Sequence, residues 1–135
     1  MRRRSILAGA IALPALIGAA PPSALSKIAG GMWEISGAPG TPAPIRQCVT
    51  DIQWLAQFEH RNRNCSRSVV SDNGSSAVIN YSCGAGDFGR SEIDVVTPRS
   101  LNISTQGISD QLPFNYTFQA RRVGDCAKNP SSSPH

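Results

Sequence analysis

From about residue 31 onward the chain alternates apolar and polar positions with a period of two, the pattern of strands that bury one face. Trp33 and Ile35 begin it, and Ile45 to Val49 form a second run after the Gly- and Pro-rich connection SGAPGTPAP. Thr50 or Asp51 then caps a short helix over about residues 51–58, where Ile52 and Leu55 stand three apart and Trp54 and Phe58 four apart. Ile93 with Val95 and Leu101 with Ile103 flank a turn at Pro98-Arg99-Ser100 and face one way. The last strand is the clearest: Phe114, Tyr116, Phe118 and Ala120 point in, and Asn115, Thr117, Gln119 and Arg121 point out. About seven strands and one helix predict a mainly β fold, an antiparallel meander forming a curled sheet or open barrel around its aromatic side. The tail, residues 127–135, is expected to be disordered.

Between these runs lies CSRSVVSDNGSSAVINYSC, residues 65 to 83, which reads as a hairpin turning at Asn73-Gly74-Ser75. A three-residue turn pairs Asp72 with Ser76, Val70 with Val78, Val69 with Ile79, Arg67 with Tyr81 and Cys65 with Cys83. Val69, Ala77, Ile79 and Tyr81 then share the buried face. A Cys65–Cys83 disulfide follows, and it leaves Cys48 and Cys126 to join the early and late strands. The chain has four cysteines and two histidines. No two of those cysteines sit at ligand spacing, and His60 and His135 add none, so a metal site is not expected.

The N-terminus, MRRRSILAGAIALPALIGAAPPSALS, has an arginine start, an apolar run and a small-residue exit, the layout of a cleaved export leader. The run carries Pro14 and is too short for a membrane span, so no anchor is expected after cleavage. Ala24-Leu25-Ser26 suits signal peptidase better than Gly18-Ala19-Ala20, which would leave Pro21 first. The expected division is therefore a leader over 1–26, one domain over 27–126 and the tail. The destination is the bacterial periplasm or the exterior, where an even cysteine count favours disulfides. Of 13 basic and 9 acidic residues in the whole chain, Arg2, Arg3 and Arg4 leave with the leader. What remains is nearly neutral and has no dense basic run, which argues against nucleic acid as a partner.

Several short motifs resolve into structure once their context is considered. Gly84-Ala85-Gly86-Asp87-Phe88-Gly89 spells G-x-G-x-x-G, but RSEIDVV after it alternates as a strand, whereas a dinucleotide site needs a helix there. The glycines are expected to let the backbone bend between two strands. Asp-Phe-Gly within it lacks the other kinase elements. Ser71-Asp72-Asn73 lacks the S-x-x-K partner of the β-lactamases and reads as the hairpin turn. His60, the one histidine within the domain, would have to serve any hydrolase; with Glu59, Arg61 and Arg63 it reads instead as the polar end of the helix. Glu92 and Asp94 share an outer strand face as a solvated acid pair. Trp54, Phe58, Phe114, Tyr116 and Phe118 are the candidate lining of an apolar pocket, with ordinary core as the alternative. No cofactor is implied.

Gly31-Met32-Trp33-Glu34, Cys48-Val49-Thr50 before a short helix, Cys65 and Cys83 around a hairpin, the glycine run 84–89 and Val123-Gly124-Asp125-Cys126 occur here in order. In this the chain resembles the bacterial domain-of-unknown-function family numbered 3617 over essentially its whole mature length. It departs from the pattern in a proline-rich connection after the first strand and a lysine-poor middle. The resemblance implies a small, exported, cysteine-bridged domain and carries over no catalytic residue. The expected function is a non-enzymatic binding or envelope-associated protein whose partner is an envelope protein, peptidoglycan or an apolar ligand. The alternatives are an inhibitor of a lytic enzyme such as lysozyme, presenting residues 84–90 or 36–44, and a small hydrolase using His60. Arg3-Arg4-Ser5-Ile6-Leu7 resembles a twin-arginine export signal, with ordinary Sec export as the other route. If it acts as one, substituting Arg3 and Arg4 by Lys abolishes export in a fractionation assay; unchanged export assigns the leader to Sec.

Overall fold

The computed structural model describes residues 9–12 and 22–127; most of the leader and residues 128–135 of the tail lie outside the described residues. Seven antiparallel strands form one open sheet: β1 (Gly31–Ser36), β2 (Ile45–Val49), β3 (Ser66–Asp72), β4 (Ser76–Gly84), β5 (Asp87–Thr97), β6 (Ser100–Ser109) and β7 (Leu112–Gly124). Strands β3 to β7 follow one another as a meander, β1 adds beside β7, and β2 closes that side, giving the order β2-β1-β7-β6-β5-β4-β3. The mainly β, antiparallel meander expected from the alternation is therefore the observed architecture, with the sheet left open. Among the described residues no helix is long and apolar enough to cross a membrane.

Because β2 and β3 are the two opposite edges, the segment joining them must cross the whole sheet. It does so as a nine-residue helix, Ile52–His60, that packs on β4, β5 and β6. The helix is of the tight 3₁₀ type and kinks at Gln57. A three-residue turn stacks side chains at every third position. Ile52, Leu55 and Phe58 thus form one buried row, and Trp54 is left at the flank with its edge toward Phe58, 6.1 Å between centroids. Asp51 is the cap: its carboxylate accepts from the Gln53 amide at 3.0 Å. Beneath the helix, Trp33, Ile35, Ile79, Ile93, Leu101, Ile103 and Phe118 are all buried from the same sheet face. At roughly 1.5–3 kcal/mol for each large side chain, this layer is the main source of stability.

The Cys65 hairpin departs from the expected register in its outer half. Arg67 faces Tyr81 and Val69 faces Ile79 as expected, but a bulge then places Ser71 opposite Val78 and Asp72 opposite Ala77. The cause lies in the turn, where Asn73 Oδ1 accepts from the Ser75 and Ser76 amides at 3.1 and 2.8 Å and lengthens the loop by one residue. The expectation that Val69 is buried is corrected: β3 is an edge strand, and Val69 on it is 42% exposed. Ala77, Ile79 and Tyr81 are buried.

The glycine run makes a tight β4–β5 turn with Ala85 and Gly86 both at positive φ, 54° and 83°, the backbone a two-residue hairpin requires. A strand follows it, so the phosphate-binding reading has no helix to stand on. Gly89 has a second role. It faces Tyr81 on one neighbour and Gly107 on the other, and a Cβ at Gly89 would collide with the Tyr81 ring.

Ahead of β1, a short turn at Ser23–Leu25 is part of the fold, with Ala24 and Leu25 4% and 5% exposed. The Asp72 carboxylate accepts from the Ser23 amide, the Ser23 hydroxyl and the Ala24 amide. The Gly74 amide, aided by these groups, holds the Asp72 carboxyl below its ordinary value. The tie is complete at neutral pH and is lost as the pH falls through that lowered value. A cut after Ser26 would remove this packed turn.

The structure pairs Cys48 with Cys126 and Cys65 with Cys83, loops of 78 and 18 residues. The first ties β2 to the chain end beyond β7, and the second fastens the start of β3 to β4. Chain entropy makes the longer loop the stronger constraint, about 4.5 against about 3 kcal/mol. Urea denaturation should accordingly rank the paired Cys→Ser variants, with loss of Cys48–Cys126 lowering stability more than loss of Cys65–Cys83; equal losses would contradict the ranking.

Candidate functional site

The helix reaches its end under one edge of the sheet, and the chain must turn back to start β3. That turn, residues 61–65, opens a cleft of about 510 Å³ between the end of β2 and the start of β3. Gln47 and Thr50 stand on one side, Arg61 to Cys65 and Arg67 on the other, and Trp54 and Gln57 come from the helix. The lining is mainly polar, unlike the layer beneath the rest of the helix.

Gln57 organises this recess. It is 2% exposed at the helix kink, and a buried amide without partners would be costly. Its Nε2 donates to the Arg63 carbonyl at 2.8 Å and the His60 carbonyl at 3.2 Å, while its Oε1 accepts from Arg67 Nη1 at 2.9 Å. Arg67 Nη2 reaches on to Asp51 at 2.7 Å, so the helix start, the kink and β3 are bound through one guanidinium. Arg63 turns away to pair with Asp87 and the Cys83 carbonyl. Arg61 lies over the Phe58 ring, 4.6 Å from guanidinium carbon to centroid, and donates to the Phe58 carbonyl at 3.1 Å.

His60 is placed by the same helix end but faces inward. It is 5% exposed, with Nδ1 sharing a hydrogen bond with the Tyr81 hydroxyl at 2.9 Å and its ring edge-on to Tyr81 and Phe114. Its Nε2 is buried with no hydrogen-bond partner among the described residues. Burial, reinforced by the charge of Glu59, pushes the Tyr81 phenol above its ordinary value. Burial and the 2.7 Å bond to Glu59 raise Tyr116 as well. Ser91, fully buried, bonds to the Ala56 carbonyl and to Thr105 at 2.7 Å. These groups dock the helix on the sheet.

The five candidate pocket aromatics are brought together as a continuous packed layer. Phe58 and Phe118 meet at 4.9 Å between centroids with both rings buried, and Tyr116 follows at 6.0 Å from Phe118 and from Phe114. Along the layer the ring planes are tilted by 39–46°, and Trp54 meets Phe58 nearly at a right angle. The two ends of the layer reach a recess: Trp54 the polar cleft, and Phe114 an open groove of about 630 Å³ beside Phe88, Ile108 and Pro113. Glu92 and Asp94 lie apart on the outer side, where Asp94 accepts from the Ser76 hydroxyl at 2.7 Å. Among the described residues no group of three His, Cys, Asp or Glu side chains could hold a metal ion.

Sequence reasoning missed Gln57 and Arg67. The available signal was a glutamine between Ala56 and Phe58 in an otherwise apolar stretch, facing the core where a carboxamide needs neighbours. Replacing Gln57 by Leu preserves volume but removes the amide, and is expected to cost about 2 kcal/mol in urea denaturation. Hydrogen exchange at residues 61–65 should rise with it; unchanged exchange would deny Gln57 its role in holding the turn.

No curated protein and no solved structure matches the chain. A family model does, over residues 26–126, from just before β1 to the second cysteine of the Cys48–Cys126 bridge. Its description is Protein of unknown function (DUF3617), and it spans the motifs at Gly31–Glu34, Cys48–Thr50 and Val123–Cys126 that suggested the resemblance; the chain belongs to this family.

Proposed function

We propose that the chain is an exported, non-enzymatic binding protein of the bacterial envelope, which receives its ligand in the cleft between β2 and β3. The observation that carries this reading is the way the cleft is made. Its walls are held by Gln57 and Arg67 through bonds that position backbone and leave the opening clear. Rigid placement of a polar recess lowers the ordering cost of binding. The leader layout and the use of all four cysteines in bridges support export. The hydrolase reading has little support, because His60 is buried against Tyr81, and the Ser91 hydroxyl is bonded to the Ala56 carbonyl and Thr105.

A second reading, inhibition of a lytic enzyme, is favoured by the β4–β5 turn. Arg63 braces it through Asp87 and Cys83, and Phe88 beside it is 50% exposed. A braced loop with an exposed aromatic suits insertion into a partner. Micromolar protein without effect on lysozyme turnover would remove this reading for that enzyme.

The packing of Ala24 and Leu25 further supports a leader boundary upstream of Pro22, in place of the cut expected after Ser26. Native mass spectrometry of the protein purified from periplasm should give a chain that retains Ser23–Leu25 and is lighter by about four hydrogens than its reduced form. A co-purified ligand or partner is expected. A chain beginning at Lys27 would refute the upstream boundary, cytoplasmic retention would refute export, and a periplasmic protein that captures nothing under any condition would refute the binding role.

A further inference from the structure

The described body from residue 22 to 127 holds nine basic and nine acidic residues and is therefore electrically balanced as a whole. The balance is not kept locally. Three of the nine basic side chains, Arg61, Arg63 and Arg67, line the one cleft, where Asp51 is the sole carboxylate. Two of the three are already neutralised: Arg67 by Asp51 and Arg63 by Asp87. Arg61 forms no ion pair with a described residue. The nearest acidic residue in sequence, Glu59, accepts the Tyr116 hydroxyl at 2.7 Å.

Arg61 is also prepared for a ligand in shape. Its guanidinium lies over the Phe58 ring and is fixed at one nitrogen by the Phe58 carbonyl, so one orientation is set before anything binds. The remaining N–H groups are presented as a planar fork, the geometry that matches a carboxylate or phosphate by two parallel bonds. The neighbouring Arg63 and Arg67 keep the local potential from turning negative, and the Asn62, Asn64 and Gln47 amides supply neutral donors and acceptors around the opening. About 510 Å³ falls in the range of sites for small molecules.

We propose that this cleft is an oxyanion site, and that Arg61 makes the principal contact with a small molecule bearing a carboxylate or a phosphate. The inference rests on the binding role proposed above and adds to it the charge and size of the ligand. Apart from Arg63 and Arg67, already paired with Asp87 and Asp51, the groups around Arg61 are neutral amides and one indole, so the rest of the ligand is polar and uncharged, as in an acidic sugar.

Titration calorimetry on the disulfide-intact protein at low salt tests this, with inorganic phosphate, citrate, trigalacturonate and the methyl ester of trigalacturonate as probes. At least one oxyanion should bind with a Kd of about 1 mM or tighter, and the methyl ester should not. Phosphate against citrate and trigalacturonate separates the two anion chemistries. Arg61→Gln should weaken the binding tenfold or more, and Arg61→Lys should weaken it less. Asn64→Asp, at an exposed site on the rim, should also weaken binding by adding a negative charge, which guards against a folding defect at Arg61. Silence from all three anions, equal binding of the ester, or wild-type affinity in Arg61→Gln would overturn the inference. A neutral ligand found by native mass spectrometry would do the same while leaving the binding role intact.

Discussion

One constraint organises the molecule: the connection between two opposite sheet edges has to pass over the buried face. Since β2 and β3 lie six places apart in the strand order, their link cannot be a tight turn. It becomes the cover of the core. Leu55, Ala56 and Phe58 supply the apolar side of that cover, and Ile79, Ile93, Ile103 and Phe118 supply the floor. The hydrophobic layer and the topology are thus one solution, because an open sheet without the helix would leave a row of large side chains in water.

The polar groups under the helix fit the same account. A 3₁₀ segment leaves carbonyls poorly satisfied, and side chains of the sheet and of the helix itself provide donors for them. Ser91 bonds to the Ala56 carbonyl, and Gln57 at the kink takes the carbonyls of His60 and Arg63. His60 and Tyr81, Glu59 and Tyr116 complete the seam between helix and strands. Each is a titratable pair in or beside the core, and each is joined by a hydrogen bond that fixes the helix laterally. The cleft arises where this seam ends, at the turn from the helix into β3.

The two disulfides act on the flanks of that arrangement. Cys48–Cys126 joins the β2 edge to the chain end, and Cys65–Cys83 pins the start of β3 as it leaves the cleft. Within the sheet each edge strand pairs with one neighbour alone. Edge strands are where sheets fray and mispair, so covalent ties at both sides compensate for an opening that the sheet never closes. They also hold the cleft walls, since Cys48 and Cys65 both belong to its lining.

The strands were legible in the sequence because alternation is a local signal: Phe114, Tyr116, Phe118 and Ala120 reveal a buried face wherever that face is directed. The same holds for a cap at Thr50 or Asp51, a bend at the glycine run 84–89 and the inner half of the Cys65 hairpin, whose register follows from its own side chains. The outer half did not follow, because the bond of Asn73 to Ser76 lengthened the turn, and Val69 was misplaced because edge position is a property of the whole sheet. Of the candidate site, the sequence announced the aromatics and His60, which tertiary packing turned into core and seam, with Trp54 alone of them in the cleft lining. It was silent on the cleft. Gln47, Trp54, Arg61 and Arg67 come from β2, the helix, the following turn and β3, and no spacing along the chain shows that the two sheet edges meet across one helix. Local periodicity determined the elements; the crossing of the helix, a contact between distant segments, decided which side chains share a site.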